Sequence, residues 1–355
     1  YKTRTVEIEG ITLKEGDFIS LNGTTGEVYK GKVETKAAEV SGDFAALMDL
    51  CNKYTKLNVR TNADTPHDAE VARAFGASGI GLCRTEHMFF DAEKIVAMRE
   101  MILSPDVEGR RKALAKLLPF QKADFKGIFK AMDGCPVNVR LLDPPLHEFV
   151  PHDAKGQEEM AKAMGVTVQE IKKRVESLCE HNPMLGHRGC RLGNTYPEIT
   201  EMQTQAILGA AIELKKEGYD PHPEIMVPLT GILYEFEAQE KVIRDAAAAL
   251  FEKEGMEIPF KVGTMIEIPR AALTANRIAS RAEYFSFGTN DLTQMTFGYS
   301  RDDIASFLPV YLEKKILKVD PFQVLDQNGV GQLIEMAVDK GRSVRPDLKC
   351  GICGE

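Results

Sequence analysis

The sequence predicts an α/β protein built on a parallel sheet, and three observations support this fold class. From about residue 45 onward, strand-like and helix-like segments alternate along the chain. The strand candidates are short, continuous apolar runs, which is typical of parallel strands covered by helices. Seven such units follow one another, from "KLNVRT" to "LKCGICGE". Together they predict a (β/α)8 TIM-type barrel whose last strand is missing from this chain.

A small β-rich fragment precedes the predicted barrel. Residues 11–34 alternate apolar and polar positions around "NGTTG", which predicts a β-hairpin. Two strands alone are only marginally stable, so we expect the chain to begin inside a domain that continues upstream. The chain stops directly after a strand-like run, so we expect an internal piece of a longer polypeptide. Residues 1–44 are assigned to this fragment and a linker, and residues 45–355 to the barrel.

The barrel elements follow in order. Helical periodicity separates the strands, for example at 68–76 and at 235–255, where Gly255 is typical of a helix C-terminus. The predicted strands cover residues 56–61, 79–86, 136–143, 224–229, 261–269, 284–291 and 348–355.

Residues 144–223, between the third and fourth strands, are too long for an ordinary connection. We expect this insertion to form a lid or one wall of a pocket. Its Lys/Glu-rich stretch at 157–180 predicts a helix with a solvated face. Arg188 and Arg191, in "GHRGCRLG", could cap the pocket or pair with surface acids, and the sequence leaves both alternatives open.

Composition excludes several classes of protein. The chain has 45 basic and 53 acidic residues, so it lacks the excess of positive charge expected for binding nucleic acid or an anionic membrane. It has no apolar run near the ~18 residues of a membrane helix and no signal-peptide pattern. We therefore expect a cytoplasmic protein with no nucleic-acid or membrane partner.

The 7 cysteines are an odd number scattered through the chain, which favours reduced thiols over a disulfide framework. Only Cys350 and Cys353, in "CGIC", have the spacing of a redox or zinc pair. In a strand, residues three apart point to opposite faces, so we do not expect this pair to bridge or to share a metal.

Polar residues stand where the predicted strands end. The carboxyl ends of parallel barrel strands meet at one rim, and barrels of this kind carry their chemistry there. A single charge at such a position is commonly a salt bridge, but its recurrence at equivalent positions predicts a site. The residues are Arg60, Arg84, Arg140 with Asp143, Glu267, Asn290 with Asp291, and Cys353.

These residue types fit a small, phosphorylated enol or keto acid. Converging arginines predict a multiply anionic ligand, because a guanidinium group binds phosphate and carboxylate oxygens bidentately. Glu267 and Asp291 are hard oxygen donors on neighbouring strands, suited to Mg²⁺ or Mn²⁺. The thiol of Cys353 could act as a proton donor or a nucleophile.

Five segments, in order along the chain, resemble the phosphoenolpyruvate-utilising enzymes: "GLCRTEHMFF", "VRLLDPPLHEF", "GTMIEIPRA", "SFGTNDLTQ" and "CGICGE". The resemblance covers almost the whole chain, and "LLDPPLHEF" is most similar to the dikinase branch. The synthase and sugar-phosphotransferase branches, which differ after the third strand, are the alternative. In this family such segments form the C-terminal barrel that binds phosphoenolpyruvate and pyruvate, and the N-terminal hairpin resembles the tail of the swivelling phosphohistidine domain.

The resemblance implies a role for each matching residue. Arg84 and Arg140 match arginines that bind the phosphate of phosphoenolpyruvate, and Arg301 matches a further arginine near it. The loop that holds the carboxylate end of the substrate matches Gly288, Thr289 and Asn290.

The same resemblance implies a metal and an acid. Glu267 and Asp291 match the ligands of Mg²⁺, with Mn²⁺ as the alternative ion. Cys353 matches the proton donor that converts the enolate of pyruvate to the keto form.

The family also implies partners outside this chain. Its phosphate-carrying histidine lies in a "GGxTSHxA" segment, which is absent from this sequence, and its ATP-binding domain is absent as well. We therefore expect the pyruvate half-reaction only, performed with a histidine on the phosphohistidine domain of the same polypeptide, in an enzyme that is a homodimer.

Two other classes of function stay open. A metal-dependent aldolase or lyase acting on the enolate of pyruvate would share Glu267, Asp291 and the arginines, but would need no phosphohistidine. A non-catalytic binding or dimerising module of a larger enzyme would also present an anion pocket.

Overall fold

The computed structural model describes residues 4–8, 10–35 and 42–354. Contacts within the chain define two compact units, with the boundary between Thr55 and Lys56. The assignment of residues 1–44 and 45–355 to two domains remains a prediction.

The first unit contains two antiparallel hairpins and a helix, α1 (Gly42–Tyr54). Strand β1 (Thr5–Ile8) pairs with β2 (Ile11–Lys14), and β3 (Ile19–Asn22) pairs with β4 (Glu27–Lys30). The predicted turn at "NGTTG" is confirmed, since the side chain of Asn22 accepts a hydrogen bond from the backbone of Thr24 (3.1 Å). The predicted hairpin is shorter than 11–34, because β2 pairs with β1 and only β3 and β4 flank this turn.

The second unit is built on one parallel sheet. From edge to edge its strands run in the order β11-β10-β9-β8-β7-β6-β5, so each strand lies beside its neighbour in sequence. The sheet is curled, because Cα atoms of β11 come within 8 Å of Cα atoms of β6. The strands are β5 (Thr61–Asn62), β6 (Ile80–Arg84), β7 (Pro136–Arg140), β8 (His222–Val227), β9 (Lys261–Ile266), β10 (Tyr284–Gly288) and β11 (Lys349–Cys353).

Helices connect successive strands and cover the sheet, as predicted. The helices of this unit are α2 (Pro66–Ala74), α3 (Ala92–Leu103), α4 (Val107–Ala131), α5 (Ala154–Met164), α6 (Val168–Leu178), α7 (Gly189–Thr195), α8 (Pro197–Lys216), α9 (Leu233–Glu254), α10 (Pro269–Leu273), α11 (Ala275–Ile278), α12 (Thr289–Phe297), α13 (Leu308–Glu313) and α14 (Val330–Val344). Short 3-10 helices occur at Thr85–Phe89, Leu146–Phe149, Pro183–Leu185 and Ile304–Ser306. Within the described residues, no helix is long and apolar enough to span a bilayer.

Several local predictions are confirmed, and one strand is misplaced. Helices α2 and α9 coincide with the periodic segments, and Gly255 ends α9 in the left-handed region (φ 63°). The first strand was predicted at 56–61, but β5 covers only Thr61–Asn62, and Leu57 and Val59 are exposed. Apolar composition alone therefore misled the prediction, because these residues are not buried by a helix layer.

The stretch at 157–180 forms two helices. Helix α5 ends at Gly165 (φ 67°), and α6 begins with a capping box between Thr167 and Glu170. The expected solvated face is present, but Ile171 and Val175 are buried on the other face. The insertion therefore packs its apolar face into a core that it shares with α3 and α4.

Two apolar cores hold the second unit together. The larger core lies between the sheet and its covering helices, and includes Phe125, Phe236 and Phe285. The smaller core lies under the insertion, where Leu146 and Phe149 pack with residues of α3 to α6. Burial of this kind contributes about 25 cal/mol for each Å² of apolar surface. The insertion is therefore a packed part of the unit.

Candidate active site

One cavity of about 300 Å³ lies at the carboxyl ends of the strands, a volume suited to a small ligand. Residues singled out in the sequence line it, namely Arg84, Arg140, Asp143, Arg188, Glu267, Gly288, Thr289, Asn290, Asp291, Arg301 and Cys353. The wall also contains Leu82, Pro144, Pro145, Glu148, Met184, Met265 and Gly354. The structure thus brings the predicted residues to one place, and their roles remain predictions.

A second, more open cavity of about 490 Å³ lies at the C-terminal end of α9, between Phe251 and Phe260. The arginine that lines it, Arg244, is paired with Glu283 (2.7 Å) and stacks on the ring of Phe260. The predicted strand-end residues line the first cavity and not this one, so we place the candidate active site in the first cavity.

Arg84 is the last residue of β6 and reaches the cavity with its side chain. Its backbone N–H donates to Asp64 (2.6 Å), which also accepts from His87 (2.7 Å). Among the described residues, the guanidinium group of Arg84 has no hydrogen-bonding side-chain partner. Arg84 therefore offers an available cation to an anionic ligand, and His87 is held by Asp64.

Arg140 ends β7 and is buried at the floor of the cavity. It pairs with Glu86 and with Asp143, the latter at 3.2 Å. Burial acts to lower the pKa of Arg140, but Glu86, Asp143 and Glu267 outweigh it and raise the pKa above its usual value. Arg140 therefore remains a cation at every physiological pH.

The sequence left open whether Arg188 lies at the pocket or pairs with surface acids, and the structure places it in the cavity wall. It is buried, and it pairs with Asp143 (2.8 Å) and more loosely with Asp291 (3.5 Å). Burial would lower its pKa, but the Asp143, Asp291 and Glu267 carboxylates raise it instead. Arg191 does not line the cavity, and donates to the carbonyl of Gly186 (2.8 Å).

Glu267 follows β9 directly and is 1% exposed. One carboxylate oxygen accepts a hydrogen bond from the backbone N–H of Leu229 (2.6 Å). Burial raises the pKa of Glu267 well above its usual value, and the negative charges of Asp291 and Asp143 raise it further. Arg140 and Arg188 oppose this rise without cancelling it, so a further positive charge nearby would favour the ionised form.

The first turn of α12 supplies the next group of side chains. Gly288 ends β10, where an added Cβ would lie 2.7 Å from an oxygen of Glu267, so only glycine fits. Asn290 accepts a hydrogen bond from Arg301 (2.6 Å). Asp291 is buried, and burial raises its pKa against the opposing effect of Arg188. The Glu267 carboxylate lies against Gly288, and Asp291 is in the first turn of the helix that follows Gly288. The carboxylates of Glu267 and Asp291 therefore lie near the same end of α12.

Cys353 ends β11, which forms the edge of the sheet opposite β5, and it lines the cavity. Its sulfur lies 3.6 Å from the hydroxyl of Ser286 and 3.6 Å from the carbonyl of Phe287. Burial raises the pKa of the Cys353 thiol, although the hydrogen bond with Ser286 lowers it in part. At neutral pH the group is a thiol and holds a proton.

Arg60 is the one predicted strand-end residue that the structure places elsewhere. It precedes β5 and pairs with Glu224 (2.6 Å), which is the third residue of β8. Neither residue lines the cavity. The prediction failed because the first strand begins later in the chain than its apolar pattern indicated.

The charges at the floor of the cavity fit a divalent cation. The buried carboxylates of Glu86, Asp143, Glu267 and Asp291 outnumber the two buried guanidinium groups of Arg140 and Arg188 by two. Within the described part of the chain, no three His, Cys, Asp or Glu residues are arranged as a metal cage. An ion held by Glu267 and Asp291 would therefore complete its coordination with ligand oxygens and water, as Mg²⁺ commonly does.

Sequence reasoning missed three residues at this site. Glu86 is the buried partner of Arg140, Leu229 holds Glu267, and Glu148 lines the cavity. Glu86 and Glu148 had a usable signal, because Glu86 ends the strand predicted at 79–86 and Glu148 follows a strand end within "LLDPPLHEF".

Comparison with known proteins identifies the family. Residues 38–355 match the family model described as PEP-utilising enzyme, PEP-binding domain. The chain is 58% identical to the pyruvate, phosphate dikinase of Clostridium symbiosum, over 100% of this chain and 41% of that protein. It is 58% identical to that of Giardia intestinalis, over 100% of this chain and 40% of the relative.

A plant relative gives the same result. Pyruvate, phosphate dikinase 1, chloroplastic, of Arabidopsis thaliana is 56% identical over 98% of this chain and 36% of its own length. The chain thus spans about two fifths of the curated relatives that it matches. It belongs to the family of phosphoenolpyruvate-utilising enzymes and corresponds to their phosphoenolpyruvate-binding domain.

Proposed function

We propose that the cavity binds phosphoenolpyruvate and pyruvate and performs the pyruvate half-reaction of a pyruvate, phosphate dikinase. A phosphoryl group would pass between phosphoenolpyruvate and a histidine on the phosphohistidine domain of the same polypeptide. The complete enzyme would convert ATP, phosphate and pyruvate to AMP, diphosphate and phosphoenolpyruvate. The convergence of arginines, carboxylates and one thiol on a single cavity carries this proposal.

The arginines would bind the anionic groups of the substrate. Arg84 is available to grip phosphoryl oxygens, because its guanidinium group has no hydrogen-bonding side-chain partner among the described residues. Arg140 and Arg188 would face the same ligand from the floor, each fixed in place by Asp143. Preorganised cations of this kind stabilise the negative charge that develops as the phosphoryl group leaves.

Glu267 and Asp291 would hold Mg²⁺, or Mn²⁺ in its place. Their buried carboxyl groups have raised pKa values, so an adjacent cation would favour the ionised form of both. When bound, the ion would supply positive charge to the enolate and phosphoryl oxygens. The loop Gly288–Asn290 would hold the carboxylate end of the substrate beside it.

Cys353 would donate the proton that completes the reaction. Once the phosphoryl group has left, the enolate of pyruvate takes a proton at its methylene carbon, and the thiol of Cys353 becomes a thiolate. In the reverse direction the thiolate removes a proton from the methyl group of pyruvate. The raised pKa of the thiol keeps this proton in place at neutral pH.

The proposal includes a wider setting for this domain. We infer that the curled sheet belongs to a (β/α)8 TIM-type barrel, which is supported by the approach of β11 to β6. Dimerisation and a cytoplasmic location remain predictions made from the sequence.

Exchange of the methyl protons of pyruvate with solvent tests this function directly. In the protein that carries this chain, with Mg²⁺ present, we expect Cys353→Ala to lower the exchange rate by about 100-fold or more, since general acid–base catalysis contributes that much. The matched control is Cys350→Ala, which removes a thiol from the same strand outside the cavity. Exchange that persists unchanged in Cys353→Ala would contradict the proposal.

A further inference from the structure

Glu148 is an acidic residue at the mouth of the cavity that the proposed half-reaction does not use. It lines the cavity and is exposed, whereas the other carboxylates that line it, Asp143, Glu267 and Asp291, are buried. Each of those three accepts a hydrogen bond within the chain. Among the described residues, the carboxylate of Glu148 forms no direct hydrogen bond or salt bridge, and the charges of His147 and Arg188 act on it only from a longer distance.

The backbone fixes Glu148 in this position. Pro144 and Pro145 restrict the chain after β7, and the following turn is the 3-10 helix Leu146–Phe149. Leu146 and Phe149 anchor that helix in the smaller core, where they are 4% and 1% exposed. The side chain of Arg99 also donates to the carbonyl of Phe149 (2.8 Å). Glu148 is therefore presented to the cavity by a rigid turn.

A carboxylate at this place does not favour the small substrate. Phosphoenolpyruvate is multiply anionic, so the charge of Glu148 opposes its entry into the cavity. The group that a free carboxylate attracts at the mouth is a cation or an N–H donor that arrives from outside. In the proposed half-reaction that group is the imidazole ring of the phosphoryl-carrying histidine.

We propose that Glu148 is a positioning residue for this histidine. Its carboxylate accepts a hydrogen bond from the N–H of one ring nitrogen, so that the other nitrogen points at the phosphorus atom. This inference rests on the proposed function, because it requires a histidine to enter the cavity mouth. It adds a recognition element for the second substrate of the half-reaction.

The chemistry of the step explains why a negative charge is useful there. The lone pair of the ring nitrogen attacks phosphorus, the N–P bond forms, and the bond from phosphorus to the enol oxygen breaks. The ring retains its other N–H and so becomes positively charged, while the enolate takes its proton from Cys353. The Glu148 carboxylate balances the charge of the ring through a charge-assisted hydrogen bond. In the reverse direction, the same bond keeps the ring in the charged form that leaves more easily.

Two measurements on the full-length protein separate this inference from the proposed function. The first is the methyl-proton exchange of pyruvate, which needs no histidine. The second is single-turnover formation of acid-labile phosphoenzyme from labelled phosphoenolpyruvate, measured over a range of its concentrations. The variants are Glu148→Gln, which removes the charge, and Glu148→Asp, which keeps it. Glu158→Gln is the matched control, since Glu158 is an exposed acid of α5 outside the cavity.

For Glu148→Gln we expect the phosphoenzyme to form about 10- to 100-fold more slowly at saturating phosphoenolpyruvate, as loss of one charge-assisted hydrogen bond predicts. The half-saturating concentration should not rise above about threefold of the wild type and can fall, because the charge that opposes entry of phosphoenolpyruvate is removed. Proton exchange should stay within about threefold of the wild type, and Glu148→Asp should recover part of the rate. Phosphoenzyme formation at the wild-type rate in Glu148→Gln would overturn the inference and leave the proposed function intact. Equal losses of exchange and transfer would also overturn it, because Glu148 would then act on the small substrate. Absence of exchange in the wild type would overturn the proposed function itself.

Discussion

At the scale of single residues, the candidate site separates its charges by depth. Arg140 and Glu267 are buried and held by fixed partners, whereas Arg84 and Glu148 stand nearer to solvent. A buried charge that loses its partner is strongly destabilised, so the floor of the cavity should tolerate few substitutions. The side chains of Arg84 and Glu148 form no hydrogen bond with another side chain among the described residues, so a ligand can contact them without breaking one.

The pH dependence of proton exchange should report the environment of Cys353. Burial raises the pKa of this thiol above its usual value of 9.0, so the thiolate that removes a methyl proton from pyruvate is scarce at neutral pH. We expect the exchange rate to rise by about tenfold for each pH unit and to continue rising through pH 9. Measurement of exchange by NMR between about pH 7 and 10 checks this. A plateau reached below about pH 8.5 would show that Cys353 is not the base.

Sequence reasoning found the residues at the strand ends but not their partners. Strand periodicity places Arg84, Arg140 and Cys353 at one rim, because carboxyl ends of parallel strands lie together. The contact of Arg140 with Glu86, 54 residues away, depends on side-chain packing that no local pattern encodes. Arg188 lies 103 residues from Asp291, and sequence could not decide its role for the same reason.

At the scale of elements, the turn after β8 has an unusual backbone. Leu229 has a positive φ of 58°, is fully buried, and donates its N–H to Glu267. A branched residue in the left-handed region is strained, and such strain occurs where the surrounding structure imposes it. The strained backbone at Leu229 therefore places its N–H where it donates to Glu267, a candidate metal ligand.

This strain predicts an inverted order of stability for two substitutions. At Leu229, glycine relieves the backbone strain that alanine retains, so Leu229→Gly should be more stable than Leu229→Ala by about 1 kcal/mol. Urea unfolding of both variants measures the difference in the free energy of unfolding. The matched pair is Ile225→Gly and Ile225→Ala in β8, which is equally buried and lies in a regular strand. There, the glycine variant should be the less stable one.

The opposite order at Leu229, with alanine more stable than glycine, would contradict a strained turn. Wild-type protein should be more stable than either Leu229 variant, because both lose a buried side chain.

Elements with strong end signals were predicted well, and those without them were not. Helix α9 was found because its periodic pattern ends at a glycine. The stretch at 157–180 was predicted as one helix from its Lys/Glu-rich composition, although Gly165 ends α5 and the capping box at Thr167 marks a second start. The first strand was misplaced because apolar residues at 57 and 59 are exposed.

At the scale of the whole second unit, the order of strands along the sheet is the order of the sequence. Such a sheet brings residues from opposite ends of the unit together only if it curls. Here Leu82 in β6 and Cys353 in β11 line the same cavity, so the curl is what completes the candidate site. Local patterns predicted the strands and their parallel arrangement, whereas the second core under the insertion required knowledge of long-range packing.

The direct test of the central claim is to locate a divalent ion bound with phosphoenolpyruvate. Crystals grown with phosphoenolpyruvate and Mn²⁺ would show the ion by its anomalous scattering. We expect one strong peak between Glu267 and Asp291, with the ion about 2.1 Å from a carboxylate oxygen of each residue. The phosphate of phosphoenolpyruvate should lie beside Arg84. An ion bound by neither carboxylate, with phosphoenolpyruvate outside this cavity, would contradict the account.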